Sequence, residues 1–401
     1  MICSDFSTPF FHFFQKGGLL LHTAGIICEY NPLHLGHKKQ MELIRAQKGP
    51  DSRIVCLMSG NFVQRGHPAV FDKTLRARAA VACGADLVLE MPVTKALSSA
   101  EGFAAGGVEI LSRLCDSLCF GAESGDCALF PKIADALLQP AFSDALQSFL
   151  ARGLSFPAAR QAALEEMGFD ASILSQPNNI LAVEYCKAIL SQNSKMIPLP
   201  VLRQGSYHDD TPDPENPSAT SLRHLLETGG CWQPFVPPEA QPVVADATPH
   251  SLRWGEKAML YRLRTMDDGE FEALPYGSEG LWRKFMHASR SCSSLEEILS
   301  ATKSKRYTRS RLDRMAMCAF LGLTAADLSA PIPYVRVLAF NDRGREILAG
   351  VRDSGFFCNL GTDTRHPYQA LERRCGSLYG LFAQTVEAPQ REENSRIFYE
   401  K

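Results

Sequence analysis

Between Ala24 and Gly121 the chain repeats one unit, an apolar run of strand length followed by a segment with helical spacing. AGIICEY (24–30) leads into HKKQMELIRAQ, and RIVCLM (53–58) into FDKTLRARAAVACGA. DLVLEMP (86–92) leads into SAEGFAAGGVEILSRL, and SLCFG (117–121) closes the series. Short unbroken apolar runs are strands buried on both faces, and the intervening periodicity is that of amphipathic helices. Strands and helices alternating in this way form parallel pairs joined by right-handed crossovers, so the repeat predicts an α/β fold. It also predicts where a ligand sits, in the crevice at the carboxyl ends of the strands.

The rest of the chain is less regular. Residues 125–176 have amphipathic helical patterns, a plausible insert over the site, followed by the helix NNILAVEYCKAILSQN and the strand MIPLPVLRQ. A proline-rich loop, DDTPDPENP, precedes SATSLRHLLE, which begins as an N-capped helix. Residues 233–250 are rich in proline and small side chains and mark a linker. The expected organisation is an N-terminal extension (1–23), a catalytic domain (24–232), that linker, and a mostly helical C-terminal region (251–401). This last region ends in a small α/β piece around YVRVLAFNDRGREILAG.

Composition narrows the class. With 42 Lys+Arg against 44 Asp+Glu, the formal net charge is −2, so any RNA contact needs a local basic patch. No apolar run is long enough to span a membrane. The first 23 residues resemble a signal peptide faintly, but they lack a basic start and Lys16 splits the apolar run. The 13 cysteines sit singly, and Cys115 and Cys119 have no second pair at a zinc-ligand spacing. They are expected as buried thiols in a cytoplasmic protein, with no metal centre.

The sharpest motif is Glu29-Tyr30-Asn31-Pro32-Leu33-His34-Leu35-Gly36-His37, where the first strand turns into the first helix. A helix N-terminus presents unpaired N–H groups and a positive dipole end to phosphate. Glycine at position 36 allows close backbone approach, and two imidazoles can donate to an oxygen whose charge grows during displacement. There is no P-loop. Far downstream, Ser218, Thr220 and Arg223 form an S-x-T-x-x-R pattern at another helix start, with hydroxyls and a guanidinium suited to phosphate. Together, HxGH and this second motif resemble the nucleotidyltransferase superfamily that includes pantetheine-phosphate and nicotinamide-nucleotide adenylyltransferases.

Seven further segments sharpen the resemblance. They are MSGNFVQRGHPAVFDK (58–73), GADLVLEMP (84–92), SSAEGFAAGGVEIL (98–111), CFGAESGD (119–126), QPNNILAVEYCKAI (176–189), LRQGSYHDD (202–210) and KSKRYTRSRLDR (303–314). In this order they resemble the tRNA(Met) cytidine acetate ligase family over residues 24–330. His67 departs from the acidic residue more usual there, and Leu35 from a polar one.

The resemblance implies a Rossmann-like HxGH domain and two reactions. Acetate and ATP give acetyl-adenylate, and the acetyl group then passes to the wobble cytidine of elongator tRNA(Met). Carried over by position, the nucleotide site takes in Ile27, Cys28, Glu29, Tyr30, Asn31, Pro32, Leu33, His34, Leu35, Gly36, His37, Lys38, Lys39 and Gln40. Gly121, Asn178 or Asn179, Arg203, Ser218 and Thr220 complete it, with His34, His37 and Arg223 catalytic and Mg²⁺ carried on the triphosphate.

Several of these residues have plainer readings. Asn178 and Asn179 fit a helix cap, and Arg203 fits a solvated surface. Ser59, Gly60, Asn61, Gln64 and Arg65 shape either a substrate pocket or a tight turn. Asp72 caps its helix, while Lys73, Arg76 and Arg78 look like a solvated face. Glu279-Gly280-Leu281-Trp282 looks like packing.

Six of the twelve residues in 303–314 are basic. Lys303, Lys305, Arg306, Arg309 and Arg311 are therefore the expected RNA contacts, with Tyr307 as a stacking aromatic. The rival readings are a metabolite adenylyltransferase without RNA and a non-catalytic RNA-binding protein on the same fold. No DNA or membrane partner is expected.

Overall fold

The computed structural model describes residues 21–203, 212–214, 216–358, 366–389 and 396–401. The N-terminal extension before Leu21 and most of LRQGSYHDD lie outside the described residues. The strands in chain order are β1 (Thr23–Cys28), β2 (Arg53–Ser59), β3 (Phe62–Val63), β4 (His67–Pro68), β5 (Leu87–Met91), β6 (Ser117–Ala122), β7 (Ile197–Leu202), β8 (Val335–Phe340), β9 (Phe357–Cys358) and β10 (Phe398–Tyr399).

The repeat forms the expected parallel sheet. Its order is β10-β8-β5-β2-β1-β6-β7, with β9 beside β8. From β5 to β7 every pairing is parallel. Chain direction across the sheet reverses between β1 and β6, which opens a crevice at their carboxyl ends. β5 is buried along its whole length, Glu90 included, as a central strand covered on both faces is. β7 carries Pro198 and Pro200 and pairs only with β6 among the described residues. Proline donates no ladder hydrogen bond, so an edge is where this strand can be accommodated.

The insert forms helices Leu129–Ala136, Pro140–Ala151 and Phe156–Glu166. They share the core of helix Pro177–Ser191 through Phe130, Ile133 and Leu164. Residues 252–321 are helical as read, and Leu263, Phe271, Phe285, Leu312 and Met315 form their core. The proline-rich stretch 233–250 is not a free tether. Val236, Ala240 and Val244 pack into the core beside helix Lys73–Ala82, and Glu239 accepts from Lys38 at 2.6 Å.

The C-terminal strand–turn–helix is part of the same sheet rather than a separate piece. β8 lies antiparallel on β5, with Glu90 opposite Arg336. At one end Asp86 ties it down: its carboxylate accepts from Ile54 N, Arg45 and Asn341 Nδ2. At the other end Glu90 is buried between Lys73, at 2.8 Å, and Arg336, at 3.1 Å. Glu372 stands nearby and accepts from Tyr334 Oη at 2.8 Å. Burial, with the charge of Glu90, pushes the Glu372 carboxyl up to about 7.

Removing one member of such a cluster strands its partner in a dry interior, at a cost of about 3–5 kcal/mol. Arg336→Met is therefore expected to lose about that much stability in urea denaturation. An unchanged midpoint would mean that the buried Glu90–Arg336 pair contributes nothing to holding β8 on the sheet.

Candidate active site

Strand β1 ends at Cys28, and the chain turns through Tyr30, which holds a left-handed φ of 45°. His34 then caps helix Leu35–Lys48. Its Nδ1 accepts from Gly36 N at 3.2 Å, and its own N–H donates to His37 Nδ1 at 3.2 Å. The motif is thus a capping box in which imidazoles do the work usually done by Ser and Glu. The rings stack at 3.7 Å, and Tyr30 meets His37 edge-on at 4.9 Å.

Two consequences follow from this bonding. Because each Nδ1 accepts a backbone proton, the hydrogen-bond network assigns the ring proton to Nε2. The rings are also neutral. Burial, and then the charge of Arg203, takes His37 down to about 3. Burial, His37, Arg203 and Arg223 hold His34 well below its ordinary value. The pair therefore offers two uncharged Nε2–H donors beside two fixed guanidinium charges.

The second motif closes on the first. Ser218 caps helix Ala219–Thr228, accepting from Ser221 N at 3.1 Å. Arg223 donates to the Asn31 carbonyl at 2.7 Å and to Thr220 Oγ1 at 3.1 Å. Arg203 follows β7, its N–H bonded to Ala122 O, and its stem crosses Gly121 where a Cβ would stand at 3.0 Å. The glycine thus makes room for an arginine of this chain. These parts lie where β1, β6 and β7 end.

Asn178 and Asn179 do not cap their helix; Gln176 occupies that position. The cap comes from Glu123, beyond β6, whose carboxylate accepts from Asn178 N, Asn178 Nδ2 and Asn179 N. Asn179 Oδ1 accepts in turn from Glu123 N and Ser124 N. The asparagines lock the end of β6, a bonding pattern that helix-start composition does not reveal.

Within 27–40, several side chains support the loop from below. Cys28, Tyr30 and Leu33 belong to the core. Glu29 accepts from Gln64 N, and Asn31 Oδ1 from Val70 N. Lys38 pairs with Glu239, Lys39 reaches Asn216 at 3.4 Å, and Gln40 meets Cys119 Sγ at 3.5 Å.

Asp72 caps its helix by accepting from Thr74 N, as expected. The solvated face expected beside it holds only for Arg78. Lys73 and Arg76 are buried. Arg76 donates to the carbonyls of Glu29, Ser59, Gly60 and Phe71, tying the ends of β1 and β2 together. Local sequence carries no signal for this, because Asp72 and Lys73 lie on the same helical face as Arg76.

The β3–β4 hairpin brings residues 64–67 against helix Arg309–Leu321. Gly66, at φ +78°, lies so close that a Cβ would meet Asp313 and Arg314 backbone at 2.5 Å. His67 is open to solvent yet crowded by protein, as a cleft-lining residue is. That crowding lowers its pKa, Asp313 opposes the shift, and Arg223, Arg309 and Arg65 add to it. The C-terminal half of the basic segment thus lies beside the site.

Its charges are partly answered. Arg306 pairs with Glu279 at 2.9 Å, and Arg309 with Glu296 and Asp313. Arg311 donates to Tyr276 O, while Lys303 and Lys305 are exposed. Tyr307 is buried at 9% exposure with Arg311 over its ring, so it cannot stack on a base.

A nucleotide-binding class is defined by this geometry, and the model of the HIGH Nucleotidyl Transferase family matches residues 21–394. The tRNA(Met) cytidine acetate ligase of Clostridium novyi is 37% identical over 348 residues, covering 82% of this chain and 86% of that one. The ligase of the same name from Clostridium acetobutylicum is 35% identical over 351 residues, covering 82% and 87%. Crystal structures of Thermotoga maritima TmcAL superpose with TM-scores of 0.86 (apo) and 0.83 (bound with alpha-thio ATP). Both are 28% identical, covering 94% and 95% of this chain and 99% and 100% of the respective structures. The chain belongs to the tRNA(Met) cytidine acetate ligase family.

The depressed His37 pKa carries a stability signature. The unfolded chain takes up a proton near pH 6.5 while the folded ring refuses it until about 3. Stability conferred by the neutral ring is therefore complete above 6.5 and is lost as pH falls toward 3. Measured by urea denaturation between pH 6.5 and 5, wild type should lose more stability than His37→Gln. Parallel curves would mean that the ring titrates normally.

Proposed function

We propose that the chain activates acetate with ATP to acetyl-adenylate and transfers the acetyl group to the wobble cytidine of elongator tRNA(Met). The observation that carries this reading is the stacked, neutral His34–His37 pair at a helix N-terminus, flanked by Arg203 and Arg223. The names of its relatives and the nucleotide analogue in the Thermotoga structure support it.

In the first step an acetate oxygen attacks the α-phosphorus in line. The P–O bond to pyrophosphate breaks, and pyrophosphate carries away the electron pair. Such chemistry asks for positioning and charge neutralisation rather than a covalent enzyme intermediate. His34 and His37 donate through Nε2–H to the departing phosphates, and Arg223 and Arg203 neutralise them. Ser218, Thr220, Gly36 and the helix N-terminus frame the triphosphate. The carboxyl end of β6, from Gly121 with Asn178 and Asn179 behind it, borders the adenosine.

In the second step the cytidine amine attacks the acetyl carbonyl. The bond to AMP breaks and the amine gives up a proton. No acyl-cysteine is needed, and burial raises Cys28 and takes Cys119 up to about 12, away from the thiolate form. Among the described residues no cluster of His, Cys, Asp or Glu fits a protein-held metal. Mg²⁺ carried on the triphosphate would add to the neutralisation that Arg203 and Arg223 supply.

Lys303, Lys305, Arg306, Arg309 and Arg311 take the tRNA in this reading. Arg306 and Arg309 do so by exchanging the exposed carboxylates of Glu279 and Glu296 for phosphates, a cheap swap because such surface pairs are worth about 0–1 kcal/mol.

The decisive assay is exchange of labelled pyrophosphate into ATP across several carboxylates. Acetate is expected to drive it. Exchange driven only by a phosphorylated metabolite would favour a plain adenylyltransferase. His37→Ala should cut acetate-driven exchange on the order of a hundredfold or more while tRNA binding persists. Survival within about tenfold, about 1.4 kcal/mol of barrier, would remove the imidazole from the phosphate site.

A further inference from the structure

Helix Leu252–Thr265 has a face that the folded chain does not use. Gly255, Met259 and Leu263 are buried, and Phe382 lies so close to Gly255 that a Cβ there would sit 2.2 Å from its ring. With 3.6 residues per turn, the opposite side is made by Arg253, Lys257, Tyr261 and Arg264, within about 80° of arc. All four are exposed, and Tyr261 at 71% is more exposed than any other large hydrophobic residue described.

No carboxylate on the helix answers these charges. Glu256 is its only acidic residue and accepts from Leu295 N at 2.8 Å. Arg262, on the flank, is the residue that pairs with Glu270. Arg264 donates to the Cys292 carbonyl at 3.2 Å, which fixes its place without cancelling its charge.

The stripe begins near the active site. Ser251, the cap of this helix, donates to Glu227 at 3.2 Å. Glu227 stands one turn beyond Arg223 on helix Ala219–Thr228. On the other flank, Leu295 bonds Glu256 while the next residue, Glu296, holds Arg309. From Arg253 to Arg264 the helix climbs about 16 Å, close to five stacked nucleotides at roughly 3.4 Å each.

We infer that the exposed face of helix Leu252–Thr265 is a contact surface for the tRNA, running outward from the acyl-transfer site. Arg253, Lys257 and Arg264 meet phosphates, and Tyr261 stacks on an unpaired base. This rests on the tRNA reading given above. A protein partner fits less well, because the stripe presents three exposed cations and no carboxylate, a one-signed surface suited to a polyanion.

The test uses the full chain, an elongator tRNA(Met) transcript, and binding measured across a salt series. Arg253→Ala, Lys257→Ala and Arg264→Ala combined should weaken binding on the order of tenfold and lower the salt slope by about 2–3. Tyr261→Ala should weaken it at least about fivefold with the slope unchanged, and Tyr261→Phe should bind like wild type. Acetate-driven exchange should stay within about twofold in every variant, which also reports folding.

If wild type binds the transcript and these variants bind it equally, the inference fails while the tRNA reading stands. Variants that alter oligomeric state by light scattering yet keep full tRNA affinity would likewise overturn it and mark a protein surface. If wild type itself binds no tRNA, both fall.

Discussion

The exchange of hydrogen bonds between His34 and His37 is the constraint around which the site is arranged. A helix start normally leaves backbone N–H groups for solvent or ligand. Here two of those groups are spent on imidazole Nδ1 atoms, and this sets which nitrogen carries each proton. The arrangement works only while the rings are neutral, and burial beside Arg203 keeps them so. The site thus sets fixed guanidinium charge beside two oriented, uncharged imidazole donors.

That geometry is maintained by bonds reaching the β1 turn from well-separated parts of the chain. Arg76 fastens the Glu29 carbonyl to those of Ser59 and Gly60. Arg223 fastens the Asn31 carbonyl, and Val70 N its side chain. A guanidinium bonded to carbonyl oxygens stays charged but has little freedom to move. The left-handed turn at Tyr30 is thus held from both sides, as strained loops at functional sites must be.

Much of this was legible in the sequence because it is local. Strand and helix periods showed the parallel sheet, and Ser218 and Asp72 sat where caps belong. HxGH stood at the one strand end that opens the crevice. What could not be read depends on contacts distant in sequence. β8 has the pattern of any buried strand, and nothing in it says that Arg336 will face Glu90 across the sheet edge. Lys73 and Arg76 look solvated until Glu90 of β5 and the carbonyls at the ends of β1 and β2 supply their oxygens. Glu123 caps a helix that begins more than fifty residues later, at a |i−j| of 55. Composition says nothing of depth, so Tyr307 reads as a stacking residue although it is buried, and nothing in the ordinary helical spacing of 252–265 marks Tyr261 as exposed.

The most direct test of the central claim is a crystal structure with a non-hydrolysable ATP analogue. The account predicts His34 and His37 Nε2 at about 2.7–3.2 Å from phosphate oxygens, with both Nδ1 atoms still bonded to backbone N–H. Imidazoles turned away from the nucleotide, or a nucleotide seated elsewhere on the sheet, would contradict it.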